Sequence, residues 1–275
     1  MLFIYRFFIN FFFPLIIIIV FFRRSFNKED KIRFKEKLFS SSFNASKNSN
    51  KKLIWFHAAS LGELKSIIPL LKKLNEKKKF DFLITTTTLS SSRLFSKELL
   101  NEKNITHRFF PIDKPNLVKK FLDAWSPNLS VFVESEIWPN FFLEIKKRKI
   151  PLILLNGRIT KKTFLRWNLV QNLAEKIFKS FELCLPGSVE SKKYLEKFKV
   201  KNIKYLGNIK LASENNTGNL SHKNKEILIA NKFWCALSIH KEEDLFCLKT
   251  HLKIKTINKN IITIIIPRHI DRVKK

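Results

Sequence analysis

Glu63 is the carboxylate of this sequence best placed to act on a ligand. It follows a short apolar run, Leu53–Phe56, that predicts a buried strand, and a small polar turn over residues 57–60. Beyond it, apolar residues recur at helical spacing as far as Leu74. A carboxylate in the first turn of a helix also complements the helix dipole, so the position of Glu63 alone favours a purely structural role.

A second pair of carboxylates, Glu134 and Glu136, comes directly after the predicted strand Leu129–Val133. Two carboxylates one residue apart repel each other unless a cation, a donor or a proton is shared between them. The pair is therefore solvated, paired with a base such as Arg158, or engaged with a ligand hydroxyl.

Cationic residues follow two later strands. Lys210 comes after a predicted strand at Ile203–Leu206 and a glycine turn, where it suits a phosphate or a transition state, although a surface lysine is common in so lysine-rich a chain. A β-branched run over Asn260–Ile266 predicts another buried strand. It ends in a group that suits a phosphate or a nucleotide, namely Pro267, Arg268 and His269.

The elements that must position these side chains alternate regularly. The predicted strands of the first half are Leu53–Phe56, Phe82–Thr86, Thr106–Phe110, Leu129–Val133 and Pro151–Leu155, with a helix after each of the first four. This pattern predicts an α/β fold with a parallel sheet covered by helices on both faces. Polar residues recur at the strand ends, Asp113 among them, and ligands bind there in open α/β sheets. Helix caps also fall there, and they explain Ser60 and Thr88.

The N-terminus predicts a membrane anchor. Leu2–Phe22 is almost entirely apolar and has about the 20 residues that a span requires, although Arg6, Asn10 and Pro14 interrupt it. The arginines that follow place the rest of the chain on the cytoplasmic side. A monotopic helix lying in the interface is the alternative. Lys28–Lys37 is expected to form a charged helix at the membrane surface.

The second half contains shorter predicted elements. Leu183–Leu185 predicts a strand, Val189–Phe198 a helix, and Glu226–Leu237 a segment that carries a strand, with a helix beginning at Ser238. The expected divisions are an anchor over 1–24, a basic juxtamembrane segment and linker over 25–52, a Rossmann-like domain over 53–211, a linker over 212–225, and the start of a second domain over 226–275.

Composition narrows the classes of function. The formal net charge is +30 over 275 residues, which favours anionic partners such as phosphates or acidic lipid headgroups. The lysines are spread along the chain without basic stripes or interleaved aromatic residues, so no nucleic-acid partner is expected. The three cysteines are widely spaced, which argues against a disulfide framework and against a metal site.

Seven motifs, in order, closely resemble those of the 3-deoxy-D-manno-octulosonic acid (Kdo) transferases of lipopolysaccharide synthesis. They are HAASLGE (57–63), FFPIDKP (109–115), VESEIWPN (133–140), IPLILLNGRIT (150–160), GNIK (207–210), ALSIHKEE (236–243) and IIIPRHIDR (264–272). The resemblance covers the chain after the anchor. It implies a B-type glycosyltransferase fold with two Rossmann-like domains, of which the second is expected to be incomplete here.

The resemblance also implies an activity and residue roles. The family transfers Kdo from CMP-Kdo to the lipid A precursor, lipid IVA, at the cytoplasmic face of the inner membrane. Glu63 matches its catalytic base, and Glu134 and Lys210 match residues that stabilise the transition state. Pro267 and Arg268, with His269 beside them, match the start of the CMP-binding site.

The resemblance implies no metal or other cofactor. The expected partners are CMP-Kdo, the lipid A precursor and an anionic membrane surface. The sequence departs from the family in the turn TTTTLSSS and in LPGSVES, and the later motifs that hold most of the sugar nucleotide are missing. A non-catalytic, membrane-bound lipid A-binding protein of the same fold is therefore the alternative hypothesis.

Overall fold

The structure of the protein is a computed structural model that describes residues 1–43, 51–134, 136–212 and 225–268. The chain forms two compact units, which divide between Glu214 and Asn215. Most of the predicted linker 212–225 lies outside the described residues.

Six parallel strands form the sheet of the first unit, in the order β3-β2-β1-β4-β5-β6. They are β1 (Lys52–His57), β2 (Phe80–Thr86), β3 (Ile105–Phe109), β4 (Leu129–Val133), β5 (Leu152–Gly157) and β6 (Leu183–Pro186). Each corresponds to a strand that the sequence predicts, with ends that differ by two residues or fewer, so the parallel α/β architecture is confirmed.

The strand predicted at Ile203–Leu206 is wrong. Only Ile203 makes a β-bridge, to Cys184 of β6, and the Lys204 N–H donates to the Cys184 carbonyl at 3.0 Å. Tyr205 and Leu206 are 44% and 78% exposed. A run of apolar residues forms a strand only where a neighbouring element covers its side chains, and no element in the described part of the chain covers these two.

The helices of the first unit cover both faces of the sheet. They are α1 (Leu2–Phe11), α2 (Phe13–Ser25), α3 (Leu61–Asn75), α4 (Leu89–Glu98), α5 (Pro115–Trp125), α6 (Pro139–Lys147), α7 (Lys161–Asn168), α8 (Gln171–Phe178) and α9 (Val189–Lys197). Helices α7 and α8 have no counterpart in the sequence prediction. The faces of β1 show the division, because Ile54 and Phe56 pack toward α3 and α4 whereas Trp55 packs toward α5 and α6.

The strand order reverses direction between β1 and β4. Successive strands extend one way from β1 to β3, and the chain then returns to place β4 on the other side of β1. At such a topological switch point the loops after the two central strands diverge and leave a crevice at their carboxyl ends. The loop after β1 leads directly to Glu63 in the first turn of α3, and the loop after β4 begins with Glu134.

The apolar N-terminus forms two helices rather than one. Helices α1 and α2 meet at Phe12 with a bend of 53°. Pro14 lies at the second position of α2, where a missing N–H is tolerated. Among the described residues, no single helix is long and apolar enough to cross a membrane, whereas this bent pair together passes that test on length and composition. The membrane anchor therefore stays a prediction.

The charged segment after α2 packs against the edge of the sheet, in place of the surface helix expected over Lys28–Lys37. Its only helical part is a 3-10 turn, Arg33–Lys37. Glu36 accepts a hydrogen bond from the Phe109 N–H of β3 at 2.7 Å, and Arg33 donates to the His107 carbonyl at 2.9 Å. These bonds to the outer edge of β3 hold the segment in an irregular shape that a helix could not match.

The second unit contains a β-α-β arrangement. Helix α10 (Lys225–Ala230) precedes β7 (Phe233–Ile239), and α11 (Glu243–Ile257) connects β7 to β8 (Ile262–Pro267) in parallel. The segment predicted to carry a strand does so. The helix predicted to begin at Ser238 begins at Glu243 instead, because β7 continues through Ile239 beside β8.

The ion pair between Glu29 and Lys37 gives a test of this packing. Their side chains are 3% and 9% exposed, and the Lys37 ammonium also donates to the Thr87 carbonyl at 2.8 Å. Glu29→Gln leaves a buried ammonium without its counter-charge, and we expect it to lower the free energy of unfolding by about 3 kcal/mol. Urea unfolding followed by tryptophan fluorescence measures the change.

The matched control is Glu76→Gln, which removes one partner of an exposed pair with Lys73 and should change the unfolding midpoint little. The double variant Glu29→Gln/Lys37→Met removes both charges and should recover most of the loss. Equal midpoints for Glu29→Gln and Glu76→Gln would contradict the packing described.

Candidate functional site

Glu63 lies at the start of α3, directly beyond the carboxyl end of β1. Its side chain is 7% exposed and accepts two hydrogen bonds, from the Ala59 N–H at 2.8 Å and from the Ser60 hydroxyl at 3.0 Å. The Ser60 hydroxyl in turn accepts the Glu63 N–H at 3.3 Å, as a helix N-cap does. Both oxygens of the carboxylate are thereby held in one orientation.

The surroundings of Glu63 make it an unusually strong base for a carboxylate. Burial raises the pKa of the Glu63 carboxyl to about 7, against the opposing effect of the hydrogen bonds from Ala59 and Ser60. The negative charges of Glu134 and Glu136 raise this pKa further. Burial also raises the pKa of Glu136. The structure thus brings the predicted carboxylates into one electrostatic group.

Glu134 has a backbone conformation that side-chain-bearing residues rarely adopt, with φ at +60°. Two backbone hydrogen bonds hold it, because its N–H donates to the Leu155 carbonyl at 2.9 Å and its carbonyl accepts from the Arg158 N–H at 3.3 Å. These bonds tie the loop after β4 to β5. Strain of this kind persists only where the surroundings enforce it, and it is concentrated at functional sites.

Lys210 supplies the cation that Glu134 needs. Its ammonium lies 2.5 Å from Glu134 Oε1, so the pairing with Arg158 considered from the sequence is not the one formed. The Glu134 side chain is 8% exposed and that of Lys210 is 47% exposed, so the pair joins a buried carboxylate to a lysine at the surface of the site. The two residues that resemble the family's transition-state contacts therefore touch each other.

Asn156 connects this ion pair to the sheet, a role that its sequence position alone does not indicate. Its side-chain amide donates to Glu134 Oε1 at 3.5 Å, and its Oδ1 accepts the Ile209 N–H at 3.3 Å. A Cβ on Gly187 would lie 2.5 Å from Asn156 Oδ1, so a side chain at this position would displace the Asn156 amide. The polar run Asn156-Gly157-Arg158 at the end of β5 is the signal that points to this position.

A depression of about 200 Å³ adjoins the ion pair. Its lining comes from the carboxyl ends of β4, β5 and β6 and from the loop before Lys210, and consists of Glu134, Asn156, Gly157, Arg158, Gly187, Ser188, Ser191, Asn208 and Lys210. It combines one carboxylate, two cations and several hydroxyl and amide groups. Such a surface suits a polar, anionic ligand such as a phosphorylated or carboxylated sugar.

Other polar residues at the strand ends have structural roles. Asp113 is fully buried and accepts the N–H groups of Asn140 and Phe141, which begin α6, at 3.0 and 2.9 Å. Thr88 caps α4, as expected, by accepting the Ser91 N–H at 3.2 Å. Asp113 is thus a helix cap rather than part of the crevice.

The predicted donor-site residues that the structure describes, Pro267 and Arg268, lie in the second unit. Pro267 ends β8, and Arg268, whose side chain is exposed, donates its N–H to the Ile239 carbonyl at 3.1 Å. His269 lies outside the described residues. In the part of the chain that the structure describes, no three histidine, cysteine, aspartate or glutamate side chains converge to hold a metal ion.

Comparison of the fold with solved structures identifies its class. A putative UDP-N-acetylglucosamine 2-epimerase from Listeria monocytogenes superimposes with a TM-score of 0.58 at 12% sequence identity, over 78% of this chain and 62% of that one. The fold is the B-type glycosyltransferase fold shared by glycosyltransferases and such epimerases, as the sequence predicts.

Comparison of the sequence identifies the family. The family model described as 3-deoxy-D-manno-octulosonic-acid transferase matches residues 32–213. A 3-deoxy-D-manno-octulosonic acid transferase of Rickettsia bellii is 34% identical over 95% of this chain, and a probable mitochondrial one of Arabidopsis thaliana is 32% identical over 79%. The aligned regions amount to 62% and 50% of those two proteins. The chain therefore belongs to the 3-deoxy-D-manno-octulosonic acid transferase family.

Proposed function

We propose that this protein transfers Kdo from CMP-Kdo to the lipid A precursor, lipid IVA, with Glu63 as the general base. The observation that carries the proposal is the placement of Glu63, oriented by two hydrogen bonds, at the switch point of the sheet beside the Glu134–Lys210 pair. Membership of the family supports the sugar transfer. The identities of the donor, CMP-Kdo, and of the acceptor, lipid IVA, are part of the proposal.

In this mechanism a hydroxyl group of the acceptor attacks the anomeric carbon of the donor sugar. Glu63 takes the hydroxyl proton as the new bond forms, and a pKa near 7 lets the carboxylate do so at neutral pH. The bond between the sugar and the phosphate of CMP breaks, and its electron pair leaves on the phosphate oxygen. The proton ends on Glu63 and CMP leaves as the anion.

Lys210 and Glu134 act on the charge that develops during this step. Glu134 holds the Lys210 ammonium beside the depression, where this cation stabilises an anionic oxygen of the substrate. The charge of Glu134 also strengthens the base, because it raises the pKa of Glu63. In the second unit, Arg268 with Pro267 and His269 is the proposed start of the CMP site.

The proposed acceptor implies that the protein works at a membrane surface. A lipid A precursor is a phosphorylated lipid in an anionic leaflet, and the exposed apolar side chains of α1 and α2 together with the excess of basic residues suit that surface. We therefore place the protein at the cytoplasmic face of the inner membrane. The divisions 1–24, 25–52, 53–211, 212–225 and 226–275 stay part of this proposal.

The direct test is a transfer assay with the full chain in detergent micelles that contain lipid IVA and CMP-Kdo. We expect a product heavier by one Kdo and a matching release of CMP. Calorimetric titration with CMP accompanies it. Binding of lipid IVA without affinity for CMP and without product would overturn the proposal in favour of the non-catalytic lipid A-binding protein.

The titration of Glu63 can be measured without any substrate. In a chain with ¹³C-labelled glutamate carboxyl groups, the resonance lost in Glu63→Gln should titrate in the wild-type chain with a pKa of about 7. Glu134→Gln removes a nearby negative charge and should lower that pKa. A resonance that titrates near the ordinary glutamate value of about 4.3 would contradict the burial described.

Glu63→Gln should lower the transfer rate by about 10²- to 10⁴-fold, the usual contribution of a general base. Glutamine retains the capping geometry of the turn, so the variant should fold and bind CMP as the wild type does. Because only the ionised carboxylate accepts the proton, wild-type kcat/KM should rise with pH up to about 7 and then level off. Near-normal turnover in Glu63→Gln would place the base elsewhere.

Lys210→Met should lower kcat by about 10²-fold or more, as the loss of one oriented donor to a developing anion does. It should also raise the pKa of Glu63, since Glu134 loses its counter-charge. The matched control is Lys147→Met at the exposed C-terminal end of α6. Equal rates in the two variants would remove Lys210 from the mechanism.

A further inference from the structure

The two N-terminal helices share one face that is shielded from solvent. Their buried and partly buried positions recur once per helical turn, singly or as adjacent pairs, and continue through the bend at Phe12; they are Leu2, Tyr5, Arg6, Ile9, Phe13, Ile16, Ile17 and Val20. Ile16, Ile17 and Val20 pack with Phe34 and Leu38. One face of the pair is therefore shielded from solvent between Leu2 and Val20.

Polar contacts fix the beginning of the pair to the sheet. The Tyr5 hydroxyl donates to Asp113 Oδ2 at 2.7 Å, and Arg6 Nε donates to Asn140 Oδ1 at 2.8 Å. Asp113 follows β3, and Asn140 lies in the first turn of α6 after β4. The start of α1 is thus held at the carboxyl edge of the sheet.

The end of the pair is held at the same edge. Arg23 pairs with Glu29 at 2.8 Å, Glu29 pairs with Lys37, and Lys37 donates to the carbonyl of Thr87, which follows β2. Phe21 also packs edge-on against Phe34, with ring centroids 4.9 Å apart.

These contacts conflict with a transmembrane span. The helices are about 15 and 20 Å long at 1.5 Å per residue, so both are needed to cross a hydrocarbon core of about 30 Å. A span places its two ends on opposite sides of the bilayer, whereas here both ends are bound to one folded unit. With the end at Arg23 held by Glu29, crossing would require Tyr5 and Arg6 at the start of α1 to leave Asp113 and Asn140.

The opposite face of the pair is an exposed apolar stripe. It consists of Phe3, Phe7, Phe11, Leu15, Ile18 and Phe22, which are 49–80% exposed and recur every three or four residues through the bend. Exposed basic residues flank its end, namely Arg23, Arg24, Lys28 and Lys31. An apolar stripe beside cationic side chains complements the surface of an anionic bilayer.

We propose that α1 and α2 lie in the plane of an anionic membrane, with this stripe inserted into one leaflet, and that they do not cross it. The occupant of the stripe is the acyl region of a phospholipid leaflet. The pair lies at the carboxyl edge of the sheet, the edge at which Glu63 also lies, so that edge faces the bilayer. The proposal concerns how the chain sits on a membrane and does not depend on the sugar transfer.

Depth-dependent quenching tests this arrangement. In a Cys235→Ser chain, Phe3→Cys, Phe11→Cys and Phe22→Cys each carry a nitrobenzoxadiazole label, and the chain is reconstituted in vesicles of phosphatidylethanolamine and phosphatidylglycerol. Lipids with a nitroxide near the headgroup or deep in the acyl chain quench the label. We expect the nitroxide near the headgroup to quench the label more strongly than the deep nitroxide at all three positions. The ratio of shallow to deep quenching should be the same at each position.

Two outcomes would overturn the proposal. Preferential deep quenching at Phe11, with shallow quenching at Phe3 and Phe22, is the pattern of a span. Absence of quenching at all three positions, with self-association of the chain, would assign the stripe to a second copy. The control is Ile17→Cys on the face that packs against the first unit, where neither quencher should act.

Discussion

The site depends on the two hydrogen bonds that Ala59 and Ser60 donate to Glu63. The sequence Ser60-Leu61-Gly62-Glu63 is a capping box, a local arrangement that begins a helix whether or not any chemistry follows. Here it also orients a carboxylate above the switch point of a six-stranded sheet. The same bonds oppose the effect of burial on its pKa, yet that pKa still reaches about 7. One turn therefore both starts the helix and orients a carboxylate with a raised pKa.

The part of the site around Glu134 combines a strained backbone with an ion pair. Glu134 and Asn156 both have positive φ angles, +60° and +55°, at the ends of adjacent strands. Asparagine tolerates this conformation well, whereas glutamate does so less readily. The backbone bonds between Glu134, Leu155 and Arg158, with the ion pair to Lys210, keep it in place. A site fixed in this way can hold like charges close together without reorganising when a ligand arrives.

Much of the fold could be predicted because its signals are local. The strand Leu129–Val133 was predicted with its observed ends, and Ser60 and Thr88 cap the helices that their positions indicate. The predictions fail where contacts with residues distant in the sequence determine the local structure. Leu206 remains exposed because no neighbour covers it, and Lys28–Lys37 is shaped by β3, which is distant in sequence. The family motifs pointed to Glu63, Glu134 and Lys210 as one site. The contact of Asn156 with Glu134 is visible only in the three-dimensional structure.

The cover on β3 has a consequence for handling the protein. β3 is the outermost strand, and Arg33 and Glu36 occupy its outer carbonyl and N–H groups. An uncovered strand edge is a template on which further chains add by β-pairing. The segment that covers it follows directly from the apolar helices and is tied to them through Glu29. Shortening the chain to remove its apolar start would take away Arg23 and the side chains that pack on Phe34 and Leu38, and would thereby loosen the segment that covers β3.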